Sequence, residues 1–191
     1  MQGQTDIAIS FVTENRHKLR EVQSILEPLN VKVNWARTRK VEIQSNDLSE
    51  IAKFSAEEVS KRVYGQVVVE DAGLFVESLS NFPGPFSAFV LKTIGIAGIV
   101  KLMAGNPTRE AQFRSAVAVA TNGRLLAIFK GTIKGSITQN PRGKGGFGFD
   151  PIFVPEGKNK SFAQLSTNSK NSISHRGKAF KALAAWLESK K

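Results

Sequence analysis

The chain has 191 residues, a length that fits one domain or one domain with a small lobe. Its 27 Lys plus Arg against 16 Asp plus Glu leave a formal charge of +11, which predicts an anionic partner such as a nucleotide, a nucleic acid or a membrane surface. No run of five like charges occurs, which argues against a disordered basic arm, and the absence of cysteine excludes disulfides and thiolate metal sites. No apolar stretch is long enough to span a bilayer, and residues 1–11 lack the pattern of a secretory signal. We therefore expect a cytoplasmic protein that does not insert into a membrane.

The N-terminal part predicts a strand, a polar turn and a helix in succession. The strand covers residues 7–12. The helix is indicated by apolar residues on one face, namely Leu19, Val22, Ile25 and Leu26. Such a unit presents a helix N-terminus to an anion, with Thr13 or Asn15 as the cap, and Lys18 lies about one turn into the helix, within reach of a phosphate. The spacing of a P-loop is absent, and on these residues alone a capped helix with an exposed lysine explains the pattern equally well.

A second strand and a second helix follow. The strand covers residues 31–35, and the helix opens with a capping box from Asp47 to Glu50 and ends near Gly65. Residues 66–70 then form a continuously apolar strand, of the kind that is buried on both faces. Ligands gather at the ends of such strands in open α/β sheets, so the residues that follow are candidates for a site.

Two carboxylates, Glu70 and Asp71, lie at the predicted end of this strand. Adjacent buried carboxylates are costly unless a cation neutralises them, and Mg²⁺ prefers carboxylate oxygens together with water and phosphate. Glu42, in the polar connection before the second helix, is a third candidate ligand. Neighbouring strand residues point to opposite faces, so only one of Glu70 and Asp71 is expected to face the site. The alternative is structural, with Asp71 starting a turn and Glu70 paired with a lysine.

The second half predicts two short helices and a long hairpin. Its segments are a turn at 81–85, helices at 86–94 and 96–103, strands at 111–120, 125–137 and 152–154, a polar connection at 155–174, and a helix from about residue 176. Asn122 and Gly123 form the hairpin turn, and Gly131 and Gly135 are predicted bulges. We therefore predict an α/β fold in a single domain over residues 1–191, with a mixed twisted sheet, flanking helices and two lobes around a central substrate cleft.

The stretch 141–150 combines four glycines with Arg142, Lys144, Phe147 and Phe149. Glycine lets a backbone approach a ligand, the two cations suit phosphate, and the rings suit a stacked nucleobase. From this composition alone, a surface loop whose two rings tuck back into the core is equally consistent.

A further cluster consists of Lys170, His175 and Arg176 near the start of the last helix. The planar donors of arginine, together with an imidazole, suit the edge of a base. The alternative is a surface arginine beside a histidine that serves only the helix cap.

Five segments, in this order, resemble the Ham1/RdgB family of inosine triphosphate pyrophosphatases. The segments are Thr13-x-Asn15-x-x-Lys18, Val69-Glu-Asp-x-Gly-Leu74, Phe82-Pro-Gly84, Gly146-Phe-Gly-Phe-Asp-Pro-Ile-Phe153, and Lys170 with Ser174-His-Arg-x-Lys-Ala179. The resemblance covers nearly the whole chain. It implies an ITPase-like fold shared with the Maf and Ham1 groups, usually a homodimer, and Mg²⁺-dependent hydrolysis of ITP, dITP and XTP to the monophosphate and pyrophosphate.

The resemblance also implies roles for individual residues. Asp71 matches the catalytic carboxylate, and Glu42 and Asp71 match metal ligands, Glu42 through a looser motif. Substrate-binding positions carried over are Thr13, Glu14, Asn15, Lys18, Ala72, Phe147, Gly148, Phe149, Asp150, Lys170, His175 and Arg176. Glu14 and Ala72 depart from the family, where a small residue and a Ser or Thr are common.

These roles predict selection for a purine 6-oxygen. His175 and Arg176 would donate to that oxygen, whereas adenine presents an amino group and leaves the donors unpaired. Two other readings stay open: a nucleotide pyrophosphatase of different base preference, as in the Maf-like group, and a basic nucleic-acid-binding module. We expect a purine nucleoside triphosphate as the partner and no specific nucleic acid.

Overall fold

The computed structural model of the protein describes residues 7–190, and within them seven strands in one mixed sheet are flanked by six α-helices. The strands are β1 (Ile7–Val12), β2 (Val31–Ala36), β3 (Val67–Val76), β4 (Pro83–Gly84), β5 (Glu110–Thr121), β6 (Arg124–Ile137) and β7 (Phe153–Pro155). The helices are α1 (Arg16–Leu26), α2 (Leu48–Ser60), α3 (Ser87–Thr93), α4 (Gly95–Leu102), α5 (Thr167–Ile173) and α6 (His175–Glu188). The predicted class, a mixed sheet with flanking helices, is confirmed. The prediction about a secretory signal falls largely on residues 1–6, which lie outside the described part.

The strand order is β2-β1-β3-β5-β6-β7, and β4 pairs with the second half of β3. β1 runs parallel to β2 and β3, whereas the other pairs are antiparallel. The pairing of β1 with β3 ends at Val12 opposite Val69. On the same edge of β3, the pairing with β4 begins at Leu74 opposite Gly84. Among the described residues, positions 70–73 of β3 therefore have no strand partner on this edge, and the candidate site lies at this gap.

The core lies on both faces of the sheet, because side chains alternate along each strand. Val68 of β3 belongs to the cluster that packs α1 and α6, where the rings of Phe11 and Phe180 meet edge to face at 5.5 Å. Val67 and Val69 belong to the cluster under α2. This strand is buried on both faces, as its continuous apolar sequence predicted. No helix within residues 7–190 has the combination of length and apolar character needed to cross a membrane.

The predicted end of β3 at Glu70 is wrong, because the strand continues to Val76. It pairs with β5 over its whole length, from Val67 opposite Ala120 to Val76 opposite Ala111. The polar residues and a glycine resemble a strand end in composition, but the long β5 partner supplies ladder hydrogen bonds past them. Asp71 therefore lies within a strand and not in a turn.

The predicted bulges at Gly131 and Gly135 are also wrong. The irregularity in the β5–β6 ladder lies between Val119 and Ala120. A Cβ at Gly131 would lie 2.0 Å from the His175 carbonyl oxygen, and one at Gly135 would lie 2.3 Å from the Val154 carbonyl oxygen. These glycines therefore permit close approach of another backbone, and Gly131 lets the start of α6 rest on the sheet.

The predicted capping box of α2 does not form, and three other hydrogen bonds connect the residues at the start of the helix. Asp47 caps the helix by accepting from the Ser49 amide at 2.7 Å. The Asp47 amide donates to the Ser45 hydroxyl at 3.0 Å, and this hydroxyl donates to Glu50 at 2.7 Å. Glu50 thus binds a hydroxyl and not the backbone that the box requires.

Two other local predictions have different outcomes. The hairpin turn is confirmed, since Asn122 and Gly123 have φ of 50° and 76° and join paired strands. The polar connection predicted over residues 155–174 contains α5, a seven-residue helix that Ser166 caps by accepting from the Ser169 amide at 3.2 Å.

Candidate active site

The turn after β1 is organised by Asn15. Its side-chain oxygen accepts from the amides of His17 at 2.8 Å and Lys18 at 3.2 Å, so Asn15 is the N-cap of α1. The Thr13 hydroxyl accepts from the Asn15 amide at 3.1 Å and shapes the turn instead of capping the helix. Lys18 follows on the first turn, with its ammonium group 3.2 Å from Glu70. The strand, turn and helix therefore place a cation beside β3.

Asp71 has a carboxylate oxygen, Oδ2, that is buried and has no hydrogen-bond partner within the described part of the chain. Burial raises the pKa of Asp71 to about 6, against the lowering effect of Lys18 and Lys40. A buried carboxylate oxygen without a partner is suited to a proton or a cation. This oxygen is therefore the position in the site where a metal ion or a water proton fits best.

Glu42 lines the same cavity as Asp71 and pairs with Lys40. Its side chain is 50% exposed, and its charge contributes to raising the pKa of Asp71. Residues 7–190 contain no group of three or more His, Cys, Asp or Glu side chains that is arranged to hold a metal. Asp71 and Glu42 fit a Mg²⁺ ion that takes its remaining oxygens from phosphate and water.

Glu70 lies in a different environment from Asp71. Its buried carboxylate accepts from the Ser115 hydroxyl at 2.9 Å and from Arg176 at 3.1 Å. Burial alone would raise the pKa of Glu70, but Arg176 and Lys18 more than offset this and hold the pKa below its usual range. Glu70 is therefore an ionised structural partner of the cations.

Sequence reasoning missed Glu21, which joins two halves of the site. Its carboxylate lies 2.7 Å from the Lys170 ammonium and accepts from the Arg176 guanidinium at 2.5 Å. Lys170 also donates to Asp150 at 2.5 Å. The signal was available in the helical periodicity, because Glu21 lies beside Val22 on the inward side of α1. A buried charge at such a position requires a partner of opposite sign.

Together these side chains form a network of three cations and three carboxylates. The cations are Lys18, Lys170 and Arg176, and the carboxylates are Glu21, Glu70 and Asp150. The balanced charge explains how so many ionisable groups are buried in one region. The network connects β3, α1, α5, α6 and the glycine-rich loop.

Phe147 and Phe149, the two aromatic residues of the glycine-rich loop, lie in different environments. Phe147 is half-buried, stacks on His17 at 5.3 Å and lies 4.7 Å from the Lys170 ammonium. Phe149 is 3% exposed and packs in the core beside Ile152. The nucleobase-stacking interpretation therefore remains for Phe147, whereas the ring of Phe149 takes the alternative, inward position.

Asp150 holds this loop in shape. Its Oδ2 accepts from the Phe147 amide at 2.8 Å as well as from Lys170. Gly146 adopts a φ of 67°, and a Cβ there would lie 2.2 Å from Asp150 Oδ2. The predicted phosphate donors Arg142 and Lys144 are exposed and do not line the cavity.

His175 and Arg176 open α6, which Ser174 caps by accepting from the Gly177 amide at 3.0 Å. The imidazole stacks on Phe113 at 4.8 Å, and its Nδ1 has no partner among the described residues. Burial, followed by the charge of Arg176, lowers the pKa of His175 well below its usual value. His175 is therefore a neutral ring with an unsatisfied polar atom, suited to a polar ligand edge.

One cavity of about 420 Å³ brings these residues together. All fourteen positions to which the family resemblance assigned a catalytic, metal-binding or substrate-binding role line it: Thr13, Glu14, Asn15, Lys18, Glu42, Asp71, Ala72, Phe147, Gly148, Phe149, Asp150, Lys170, His175 and Arg176. The lining residues that the sequence did not single out are Arg39, Lys40, Gly73, Pro85, Ser87, Ala88, Leu91 and Phe113. The placement agrees with the proposed set, and the role of each residue remains a prediction.

A cleft lined by cations, carboxylates and aromatic rings beside a mixed sheet is typical of an α/β nucleotide-binding protein. The sequence model of the Ham1 family matches residues 9–186. The chain therefore belongs to the Ham1 family, as its motifs indicated.

Curated relatives share this family. A dITP/XTP pyrophosphatase of Thermococcus kodakarensis is 47% identical over 180 residues, covering 94% of this chain and 97% of that protein. A dITP/XTP pyrophosphatase of Hyperthermus butylicus is 45% identical over 179 residues, covering 94% of each chain.

Solved structures share the fold. The Ham1 protein of Coxiella burnetii superposes with a TM-score of 0.84 at 29% identity, over 96% of this chain and 99% of that one. The Ham1 protein of Staphylococcus aureus gives a TM-score of 0.82 at 29% identity, over 96% of this chain and 100% of the other.

Proposed function

We propose that the protein is a house-cleaning nucleoside triphosphate pyrophosphatase. It hydrolyses ITP, dITP and XTP to the monophosphate and pyrophosphate, and so prevents their incorporation into DNA and RNA. The observation that carries this proposal is the unpartnered, buried Asp71 oxygen in a cavity that cations and aromatic rings also line. The names of the curated relatives support the same activity.

The base binds in the part of the cleft that Phe147 lines, and the Phe147 ring stacks on it. The Lys170 ammonium and the Arg176 guanidinium lie 4.7 and 5.5 Å from the centre of the Phe147 ring. His175 and Arg176 donate to the purine 6-oxygen. An adenine amino group at this position would leave buried donors unpaired, which a hydrogen-bonding site rejects strongly.

The triphosphate runs from the base toward the turn after β1. Lys18 and the backbone of the Thr13–Asn15 turn hold it, and Lys40 also lines the cleft. Asp71 orients a water molecule at the α-phosphorus and accepts its proton as the new phosphorus–oxygen bond forms. The bond from the α-phosphorus to the oxygen that bridges the α- and β-phosphates breaks in line, and this oxygen leaves as a terminal oxygen of pyrophosphate. Mg²⁺ held by Asp71 and Glu42 would neutralise negative charge on the phosphates.

We also propose that the active form is a homodimer. Large apolar side chains are exposed on and around α3 and α4, including Phe89 at 66%, Leu102 at 51% and Ile94 at 45%. Large apolar side chains exposed together on two consecutive helices are typical of an interface between subunits. Sedimentation equilibrium tests it: a monomer at micromolar concentration contradicts the proposal.

A nucleotide panel tests the activity. Pyrophosphate and orthophosphate release are measured with Mg²⁺ from ITP, dITP, XTP, GTP, ATP and dUTP. Pyrophosphate from the inosine and xanthosine nucleotides, with ATP and GTP nearly untouched, supports the proposal. Release from dUTP instead would favour the Maf-like alternative, and no release from any nucleotide contradicts a pyrophosphatase function.

A further inference from the structure

A second basic cavity adjoins the phosphate side of the cleft. It has a volume of about 210 Å³ and is lined by Thr13, Glu14, Arg16, Trp35, Arg37, Thr38 and Arg39. Three of these residues, Thr13, Glu14 and Arg39, also line the main cleft. The two cavities are therefore neighbours at the turn after β1.

Trp35 is the residue around which this second cavity is built. It lies on β2 opposite Phe11 of β1, so its position is set by the parallel ladder. Its indole N–H donates to the Thr13 carbonyl oxygen at 2.8 Å. The ring therefore ties the second cavity directly to the turn that holds the triphosphate.

Trp35 also holds two guanidinium groups. Arg37 lies over the indole with its Cζ 4.4 Å from the ring centre, and Arg16, the first residue of α1, lies at 5.9 Å. An indole face attracts guanidinium groups and restrains them. Two flexible, exposed arginine side chains are thus held beside the start of a helix, where backbone amides also favour an anion.

The charge of this cavity is unbalanced. Arg16, Arg37 and Arg39 line it against the single carboxylate of Glu14. None of the three arginines forms a salt bridge with any carboxylate in the described residues 7–190. By contrast, the cations of the main network are all paired. Guanidinium groups that line one cavity and have no carboxylate salt-bridge partner are suited to the forked oxygens of phosphate.

We propose that Trp35, Arg16 and Arg37 form a subsite for the two distal phosphates of the substrate, and for inorganic pyrophosphate once it has been cleaved. This inference rests on the proposed function, because that function places the triphosphate over the Thr13 turn and directs its far end toward this cavity. Trp35 acts here as a positioning residue, since it orients the guanidinium groups and the Thr13 carbonyl and touches no reacting atom.

The test measures binding directly, by calorimetric titration of the full chain with inorganic pyrophosphate in the presence of Mg²⁺. Arg37→Gln is expected to weaken pyrophosphate binding about tenfold, the usual effect of losing one charged hydrogen bond. Trp35→Leu, which keeps the net charge but releases both guanidinium groups, is expected to weaken it by a similar factor. Both variants should bind inosine monophosphate as the wild type does, which also shows that they are folded.

Arg124→Gln is the matched control, because Arg124 is exposed at the start of β6 and the change in net charge is the same. If Arg37→Gln and Arg124→Gln weaken pyrophosphate binding equally, only the overall charge matters and the subsite is refuted. If a short oligothymidylate binds as tightly as pyrophosphate and depends equally on Arg37, the surface is a general polyanion site, which also overturns the proposal.

Parallel assays of ITP turnover separate this inference from the proposed function. A wild-type chain that leaves ITP intact but binds pyrophosphate through Arg37 retains the subsite and loses the pyrophosphatase assignment. A wild-type chain that cleaves ITP, with pyrophosphate affinity unchanged in Arg37→Gln and Trp35→Leu, retains the assignment and loses the subsite.

Discussion

Arg176 and Glu70 form a fully buried ion pair between the first turn of α6 and the middle of β3. Arg176 Nη2 donates to Glu70 Oε2 at 3.1 Å, while Nε lies 2.9 Å from Oε1 without the alignment of a hydrogen bond. Glu21 accepts from the other arm of the same guanidinium at 2.5 Å. Arg176 is thereby held at the wall of the cleft by carboxylates from two different elements.

Removing one member of this pair should be strongly destabilising. Glu70→Gln leaves the buried guanidinium without half of its counter-charge, and we expect the free energy of unfolding to fall by about 3 kcal/mol. Ser115→Ala, which removes only the 2.9 Å hydrogen bond to the same carboxylate, should cost about 1 kcal/mol. Denaturant titration of both variants measures this, and equal losses would contradict a dominant role of the ion pair.

Asp71→Asn should abolish turnover and stabilise the fold. We expect ITP hydrolysis to fall at least about a thousandfold, because the general base is lost. In EDTA the free energy of unfolding should rise by about 2 kcal/mol at pH 7.5, since an ionised carboxylate with a raised pKa is unfavourable in the folded state.

The stability gain should depend on pH in a definite direction. The pKa of Asp71 is raised from 3.8 to about 6, so its destabilising effect is full above pH 6 and disappears as pH falls toward 3.8. The difference between Asp71→Asn and the wild type should shrink over that range. Glu156→Gln is the control, because Glu156 is exposed and is not among the charges that shift the pKa of Asp71. A gain that is independent of pH would contradict the assigned cause.

The two rings of the glycine-rich loop should respond differently to truncation. Phe147→Ala is expected to raise the KM for ITP about tenfold with little loss of stability, because stacking on a base contributes about 1–3 kcal/mol. Phe149→Ala should instead lower the free energy of unfolding by about 3–5 kcal/mol, as for other core phenylalanines. Steady-state kinetics and denaturant titration distinguish them, and the reverse pattern would assign base stacking to Phe149.

Gly131→Ala should displace His175 and Arg176, which we propose to bind the edge of the base. The new methyl group would meet the His175 carbonyl oxygen at 2.0 Å, so the start of α6 must shift, at a cost of about 1–3 kcal/mol. We expect the preference for ITP over ATP to fall. Gly135→Ala is the matched control, because it meets the Val154 carbonyl oxygen at 2.3 Å, away from the cleft. It should lose stability but keep the preference, and equal loss of preference would refute the role of Gly131.

The sequence by itself determined the elements that depend on local chemistry. The apolar face of α1, the Asn-Gly turn between β5 and β6 and the continuously apolar start of β3 are set by side-chain periodicity and turn residues, which neighbours in sequence determine. The ordered motifs indicated the Ham1 family and contain, apart from Glu42, all the positions that the resemblance assigned to the cleft.

The tertiary structure decided what depends on distant partners. β3 extends to Val76 only because β5 pairs with it, and Gly131 is required because α6 rests on the sheet. Glu21 is a member of the site because it meets Arg176, which is 155 residues away. A local sequence pattern gives little sign of strand pairing, close backbone approach or charge neutralisation between remote segments. The reason is that the partner residue lies outside the stretch of sequence that forms the pattern. The inward ring of Phe149 and the unpaired oxygen of Asp71 were decided in the same way, by surrounding atoms that only the folded chain brings together.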